Sequence, residues 1–193
     1  MKNLKLVKMS CVPLLIAALV IQVAGAQGAT KPTAAPKPAD SPSKSLLDSW
    51  NEIGRKLTAM AEDFPEDKYD FKPNPLERSF AEQLLHAAGG NYYFINPVKG
   101  LKPPADDPKR ADYATKAAVV AYVKKSFADG AELIKSKGDA RINELFVDPF
   151  ANRLSRFSDG AWGLIEHSGE HYGQLVVYYR VAGLVPPESR PKR

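Results

Sequence analysis

Three histidines are all that this 193-residue chain contains, and two stand four residues apart in "IEHSGEHYGQ", at His167 and His171. On a helix, positions i and i+4 share a face, with Cβ atoms about 5–6 Å apart. Both imidazoles can therefore reach one metal ion through ring nitrogens at about 2.0–2.1 Å. One more ligand from a facing helix would complete a three-histidine centre with positions left for water or substrate. That is the catalytic pattern rather than the closed structural one. His86, in "AEQLLHAAGGNYYF", is the only other histidine available. Two readings compete. Scattered histidines sometimes fall at this spacing by coincidence. In addition, His167-Ser-Gly-Glu170-His171 is H-x-x-E-H, the inverted zincin motif, with glutamate as base. That peptidase architecture needs a third ligand well downstream. Only 22 residues follow His171, and their one acid, Glu188, lies in the tail. The peptidase reading fails there.

The elements that must position these side chains read as helices. The first is predicted from about Pro42 to Asp63, with Ser41 as N-cap, proline at the first helical position, and Leu46, Leu47, Trp50, Ile53, Leu57, Met60 and Ala61 at helical period. The second opens with the capping box Ser79–Glu82 and runs to about Ile95, before Asn96-Pro97. The third starts near Thr115, aligns Val119, Val123, Phe127 and Ile134, and ends on Lys135, Lys137 and Gly138. The fourth starts between Asn152 and Ser158 and closes at Gly183. Its stripe is Leu154, Phe157, Ala161, Ile165, Tyr172, Val176 and Tyr179. His167 and His171 border that stripe, on a face shared with Gly160, Gly163, Gln174 and Tyr178. His86 lies opposite its own helix's stripe, beside Glu82, Gly89 and Tyr93, where solvent and a cleft are both open to it. No strand pattern competes, so the expected fold is all-α: a four-helix bundle over residues 42–187. Its connections, roughly 15 to 19 residues each, exceed the usual 2–8 and let successive helices lie parallel.

The flanks carry their own information. Residues 1–26 combine a basic start (Lys2, Lys5, Lys8), an apolar run and a small-x-small end, the pattern of a secretory signal peptide. The run is too short for a stable membrane span. The predicted location is therefore periplasmic or extracellular, with no stable membrane anchor after cleavage. Residues 27–41 form a Pro/Ala/Lys tether expected to be disordered, and residues 188–193 a frayed tail. Cleavage would remove three of 27 basic residues and none of the 22 acidic ones, so the formal charge falls from +5 to +2. Nucleic acid is therefore not an expected partner. The only cysteine, Cys11, lies inside the signal segment, which excludes disulfides and thiolate ligands from the mature protein.

Three stretches resemble the DinB family, the YfiT-like metalloenzymes. "PEDKYDFKPNPLERSFAEQLLHAAGGNYYF" (65–94) is similar to the family's loop, capped second helix and first histidine. "TKAAVVAYVKKSFADG" (115–130) resembles its third helix, and "EHSGEHYGQLVVYYRVAGLVPP" (166–187) its two-histidine end. The resemblance implies an up-down-down-up bundle, often a homodimer. It implies one divalent metal (zinc, nickel or iron) on His86, His167 and His171. It further implies a metal-dependent hydrolase or transferase acting on a small molecule, with small intracellular thiols as cofactors in some relatives. Export argues against a thiol here. Within this frame Glu170 is the candidate base, while Gln174, Tyr178 and Tyr93 are candidates to orient ligands or line the cleft, and Tyr92 lies next to Tyr93. The alternative is a non-catalytic metal- or ligand-binding bundle. A fourth protein ligand such as Glu82 or Glu170 would favour it.

Overall fold

Ser41 accepts the Lys44 N–H on its hydroxyl, and from that cap α1 runs over Pro42–Asp63. The computed structural model describes residues 41–191; the expected signal segment (1–26) and residues 27–40 of the expected tether lie outside the described residues. Helix α2 spans Phe80–Val98 behind the Ser79–Glu82 capping box, α3 spans Lys116–Arg141, and α4 spans Phe157–Val181. Two boundaries differ from expectation. Helix α2 continues past Asn96-Pro97, because the Lys99 N–H still reaches the Ile95 carbonyl at 3.2 Å and the proline forfeits only one bond of the last turn. Helix α3 breaks its helical geometry at Gly138 (φ 53°) and then resumes for a final turn to Arg141.

Side-chain pairs define the topology. Ser43 meets Asp139, Trp50 donates its indole N–H to the Phe127 carbonyl at 2.8 Å, and Lys116 reaches the Phe64 carbonyl, so α1 and α3 are antiparallel. Asn91 pairs with Ser126 and Tyr92 with Asp129, which makes α2 and α3 parallel. Phe94 packs on Phe157 and Phe80 on Tyr178 and Tyr179, which makes α2 and α4 antiparallel. The order is therefore up-down-down-up, with α1 and α2 on one diagonal and α3 and α4 on the other. A parallel α2–α3 pair requires a connection that travels the bundle's length, which accounts for the long segment between Val98 and Lys116.

Apolar burial holds this frame. Trp50, Phe64, Phe80, Phe94, Phe157 and Tyr179 are fully buried, and Phe64 stacks on Phe80 with ring centroids 3.8 Å apart. Each such aromatic contributes roughly 1.5–3 kcal/mol by burial. The buried residues of α4 are Phe157, Ala161, Leu164, Ser168, His171, Leu175, Tyr178 and Tyr179. Phe157, Ala161 and Tyr179 stand as expected; between them the seam runs one residue earlier, through Leu164, His171 and Leu175 instead of Ile165, Tyr172 and Val176, because two of its positions are polar and carry no apolar signal.

The connection between α3 and α4 holds a feature the sequence reading lacked. Strands β1 (Leu145–Asp148) and β2 (Arg153–Arg156) form an antiparallel hairpin in which Phe146 faces Ser155 and Val147 faces Leu154. Asp148 caps its turn, accepting the Phe150 N–H at 2.9 Å, and Asn152 takes the left-handed conformation (φ 49°) the turn needs. Leu154, expected on the fourth helix, thus belongs to β2 and is exposed. Beyond α4, Pro187–Ser189 forms a single 3-10 turn. Glu188 pairs with Arg55 at 2.8 Å, and the Arg190 guanidinium donates to both oxygens of Asp63. Residues 187–190 are thus pinned to α1 instead of fraying. No helix among the described residues is long and apolar enough to cross a membrane.

Candidate metal centre

His86 projects from the middle of α2, and His167 and His171 project from successive turns of α4. The antiparallel packing of these two helices brings the three rings together. One nitrogen from each lies within 4.8 Å of the other two. The Nε2 atoms of His167 and His171 stand 3.0 Å apart, close to the ~3.3 Å expected of two ligands on one tetrahedral ion. His86 faces this cleft, half-buried, with its ring 4.7 Å from that of His171.

The approach depends on two glycines of α2. A Cβ on Gly90 would lie 2.6 Å from Cε1 of His167, so the His167 ring rests on bare helix backbone. A Cβ on Gly89 would lie 2.8 Å from the Pro108 ring, so its absence lets the α2–α3 connection close onto the helix. That closure delivers Asp107, which accepts the His86 Nδ1–H at 2.7 Å and also lies 3.6 Å from Arg78. A carboxylate on Nδ1 fixes the tautomer and turns Nε2 towards the cleft.

Two glutamines hold the His171 ring. Its Nδ1 lies 2.9 Å from Gln174 Oε1 and 2.6 Å from the Gln83 amide nitrogen, which also donates to Gln174 Oε1. With Nδ1 held on that side, His171 turns Nε2 towards His167. His167 Nδ1 is buried with no hydrogen-bond partner among the described residues. Burial is the main cause that lowers the His167 pKa to about 4, and repulsion from His171 and His86 adds to it. Burial likewise lowers that of His171. Both rings are neutral at pH 7, as ligands must be. Three converging imidazoles and an orphaned ring nitrogen suit a divalent transition ion of borderline softness. Among the described residues no carboxylate joins the three nitrogens.

The other predicted residues fall unevenly. Gln174 is in contact with His171, as described. Tyr93 lines a cleft of about 300 Å³ that ends at His167. Tyr178 does not reach the histidines: it is buried against Phe80 and donates its hydroxyl to the Arg78 carbonyl at 2.6 Å. Tyr92 points the other way, to Asp129 on α3. Glu82 is engaged by the Ser79 N–H at 2.6 Å and is unavailable as a ligand. Glu170 is exposed and makes no hydrogen bond or ion pair among the described residues, though its charge is felt at His171. Gln83, Gly90 and Asp107 were missed. Only the unusual Gly-Gly pair in mid-helix could have signalled them.

Comparison with known proteins places the family and the fold. The family model of the DinB superfamily matches residues 50–175, well over half of the chain. The chain belongs to the DinB superfamily. Among solved structures, a DinB-like protein from Bacillus cereus matches with a TM-score of 0.62 at 20% identity, covering 75% of this chain and 95% of its own. YfiT from Bacillus subtilis, described as a probable metal-dependent hydrolase with an unusual four-helix bundle topology, matches with a TM-score of 0.60 at 16% identity. Coverage there is 78% of this chain and 94% of YfiT. An uncharacterised protein from Clostridium difficile matches with a TM-score of 0.58 at 14% identity, over 75% of this chain and 98% of its own. At such identities the likeness is one of fold. No curated protein matches the sequence.

Proposed function

We propose that this DinB-superfamily protein is exported, binds one divalent transition metal through His86, His167 and His171, and catalyses hydrolysis or group transfer on a small molecule. The observation that carries the reading is the convergence of three imidazoles from α2 and α4, with no carboxylate joining them among the described residues. The description of YfiT as a probable metal-dependent hydrolase supports it. Bound there, the metal would supply Lewis-acid polarisation and acidify a coordinated water. The chain's own residues do the positioning: Asp107 holds His86, and Gln174 with Gln83 holds His171. Glu170 fills the role of base, being the unpartnered acid on the turn of α4 between the two histidines. One observation favours the alternative, a non-catalytic metal-binding bundle: among the described residues the only acid that touches a histidine, Asp107, is committed to holding it.

The test is elemental analysis of purified residues 27–193 beside His86→Ala, His167→Ala and His171→Ala. About one metal per chain, lost in each variant that retains its helical spectrum, is the expected result. A wild type that is metal-free and refuses zinc, nickel and iron on titration would sink the proposal. With the site established, a panel of small esters, amides and lactones separates enzyme from binder, and Glu170→Gln should then lose turnover while keeping its metal.

A further inference from the structure

The cleft that ends at His167 has a construction of its own. Its walls are Tyr93 and Phe94 of α2, Leu164 of α4, and Phe146 and Phe150 of the hairpin, and its volume is about 300 Å³. The hairpin is seated on the helices through Phe146, which meets Phe94 edge-on at 5.6 Å, and Phe150, which lies 5.4 Å from Tyr93. The floor is α4 itself, one turn before His167. There Gly163 presents no side chain, and a Cβ built on it meets nothing within 4 Å. Polar groups are sparse. Both oxygens of Asp148 are engaged within the hairpin by the Phe150 and Ala151 N–H groups and the Ser155 hydroxyl. Asp159 lines the cleft with no partner among the described residues.

We infer that this hairpin-roofed cleft is the specificity pocket of the metal centre and receives an uncharged aryl or branched-alkyl group of the substrate. The inference rests on the metal reading above and adds the substrate class to it. Aromatic walls reward apolar surface, and the volume lies at the lower end of the range for small-molecule sites, enough for one ring with a short linker. Two carboxylates along the cleft oppose an anionic group there. Because His167 both lines the cleft and belongs to the histidine triad, a ligand atom on the metal and an apolar group in the cleft can belong to one molecule. Gly163 and the hairpin set which apolar groups fit: the missing side chain makes the room, and the hairpin roofs it.

The experiment compares two metal chelators on the zinc-loaded protein by calorimetry: acetohydroxamate, which ends in a methyl group, and benzohydroxamate, which ends in a phenyl ring. Benzohydroxamate is expected to bind at least tenfold tighter. Gly163→Leu, which fills the cleft from an open helix position of rising helix propensity, is expected to abolish that advantage while zinc and acetohydroxamate bind as before. Equal affinity of the two probes in the wild type overturns the pocket. So does a Gly163→Leu protein that retains the tenfold preference or weakens both probes alike. If the protein takes up no zinc, the metal reading fails first, and the pocket is then read alone. Benzyl alcohol should shift the ring signals of Tyr93, Phe146 and Phe150 by NMR in the wild type and not in Gly163→Leu; unmoved rings overturn the inference.

Discussion

At the scale of single residues, the centre is governed by groups that bind nothing themselves. Gly90 is the clearest. Alanine is normally the better helix residue by roughly 0.5–1 kcal/mol, yet here its methyl would meet the His167 ring at 2.6 Å. Gly90→Ala should therefore leave the helical spectrum intact while weakening zinc binding tenfold or more, measured by competition with a chromogenic chelator. An unchanged affinity would show that the ring can shift without cost. Asp107 acts from outside in the same way. Asp107→Asn keeps the shape and loses the charge, so its expected signature is a 10–100-fold drop in metal affinity. The unfolding midpoint of the metal-free protein should barely move, since the carboxylate is exposed. A large loss of metal-free stability would instead assign Asp107 to tying the α2–α3 connection to the helix.

At the scale of elements, the hairpin is the part of the fold that the helices do not require. Phe146 is its anchor, wedged between Phe94 and α4. Phe146→Ala should cost about 2 kcal/mol in chemical denaturation, below the ~3–5 kcal/mol of a fully buried ring because Phe146 is only half-buried. Helical content should stay constant; a collapse of the helical signal would mean that the hairpin organises the bundle rather than decorating it. The same element shows where sequence reasoning runs out. Helix α1 was legible to the residue, since Ser41-Pro42 and the apolar period act locally. The Ser79–Glu82 box was legible for the same reason. "LFVD" and "RLSR" were not: each strand is four residues long, and what makes them strands is a tertiary contact through Phe146 and a turn built by Asp148. The middle of the α4 seam was misread by one position because Ser168 and His171 occupy core places, while Phe157, Ala161 and Tyr179 were read correctly. Of the site, the His167/His171 pair could be read from type and spacing, whereas His86, off its helix's apolar stripe, was placed only by the family resemblance. Asp107 and Gln83 could not be read, because nothing local says that a loop will fold back over α2 or that a buried glutamine will face α4.

At the scale of the whole molecule, the histidines couple the bundle's stability to pH and to metal through the α2–α4 pair. In the unfolded chain a histidine gains its proton below about pH 6.5. Folded, His167 refuses it until about pH 4, because burial and its two neighbours disfavour the charge. Above pH 6.5 both states are neutral and this ring leaves stability flat. Between pH 6.5 and 4 the unfolded state binds more protons, so stability falls as pH falls, and below pH 4 the loss levels off. The full shift sets an upper bound of about 3 kcal/mol, and partial exposure of the ring reduces it to roughly 2. Many carboxylates titrate in the same window, so the measurement is a difference. Denaturation of metal-free wild type and His167→Gln at pH 7 and pH 4 should show the wild type losing about 2 kcal/mol more. Equal losses would mean that the ring is solvated and that its packing on Gly90 is looser than the geometry implies. Metal acts on the same equilibrium from the other side. The proposed site exists only where α2 and α4 meet, so free zinc at about a thousand times its dissociation constant should add about 4 kcal/mol at pH 7. That gain should fade on acidification as protons compete for the nitrogens. A zinc-induced rise in unfolding temperature that is large at pH 7, small at pH 5 and missing from His86→Ala at both would join the two helices, the three rings and the ion in one linkage. A rise that survives in His86→Ala would place the ion on the α4 pair alone.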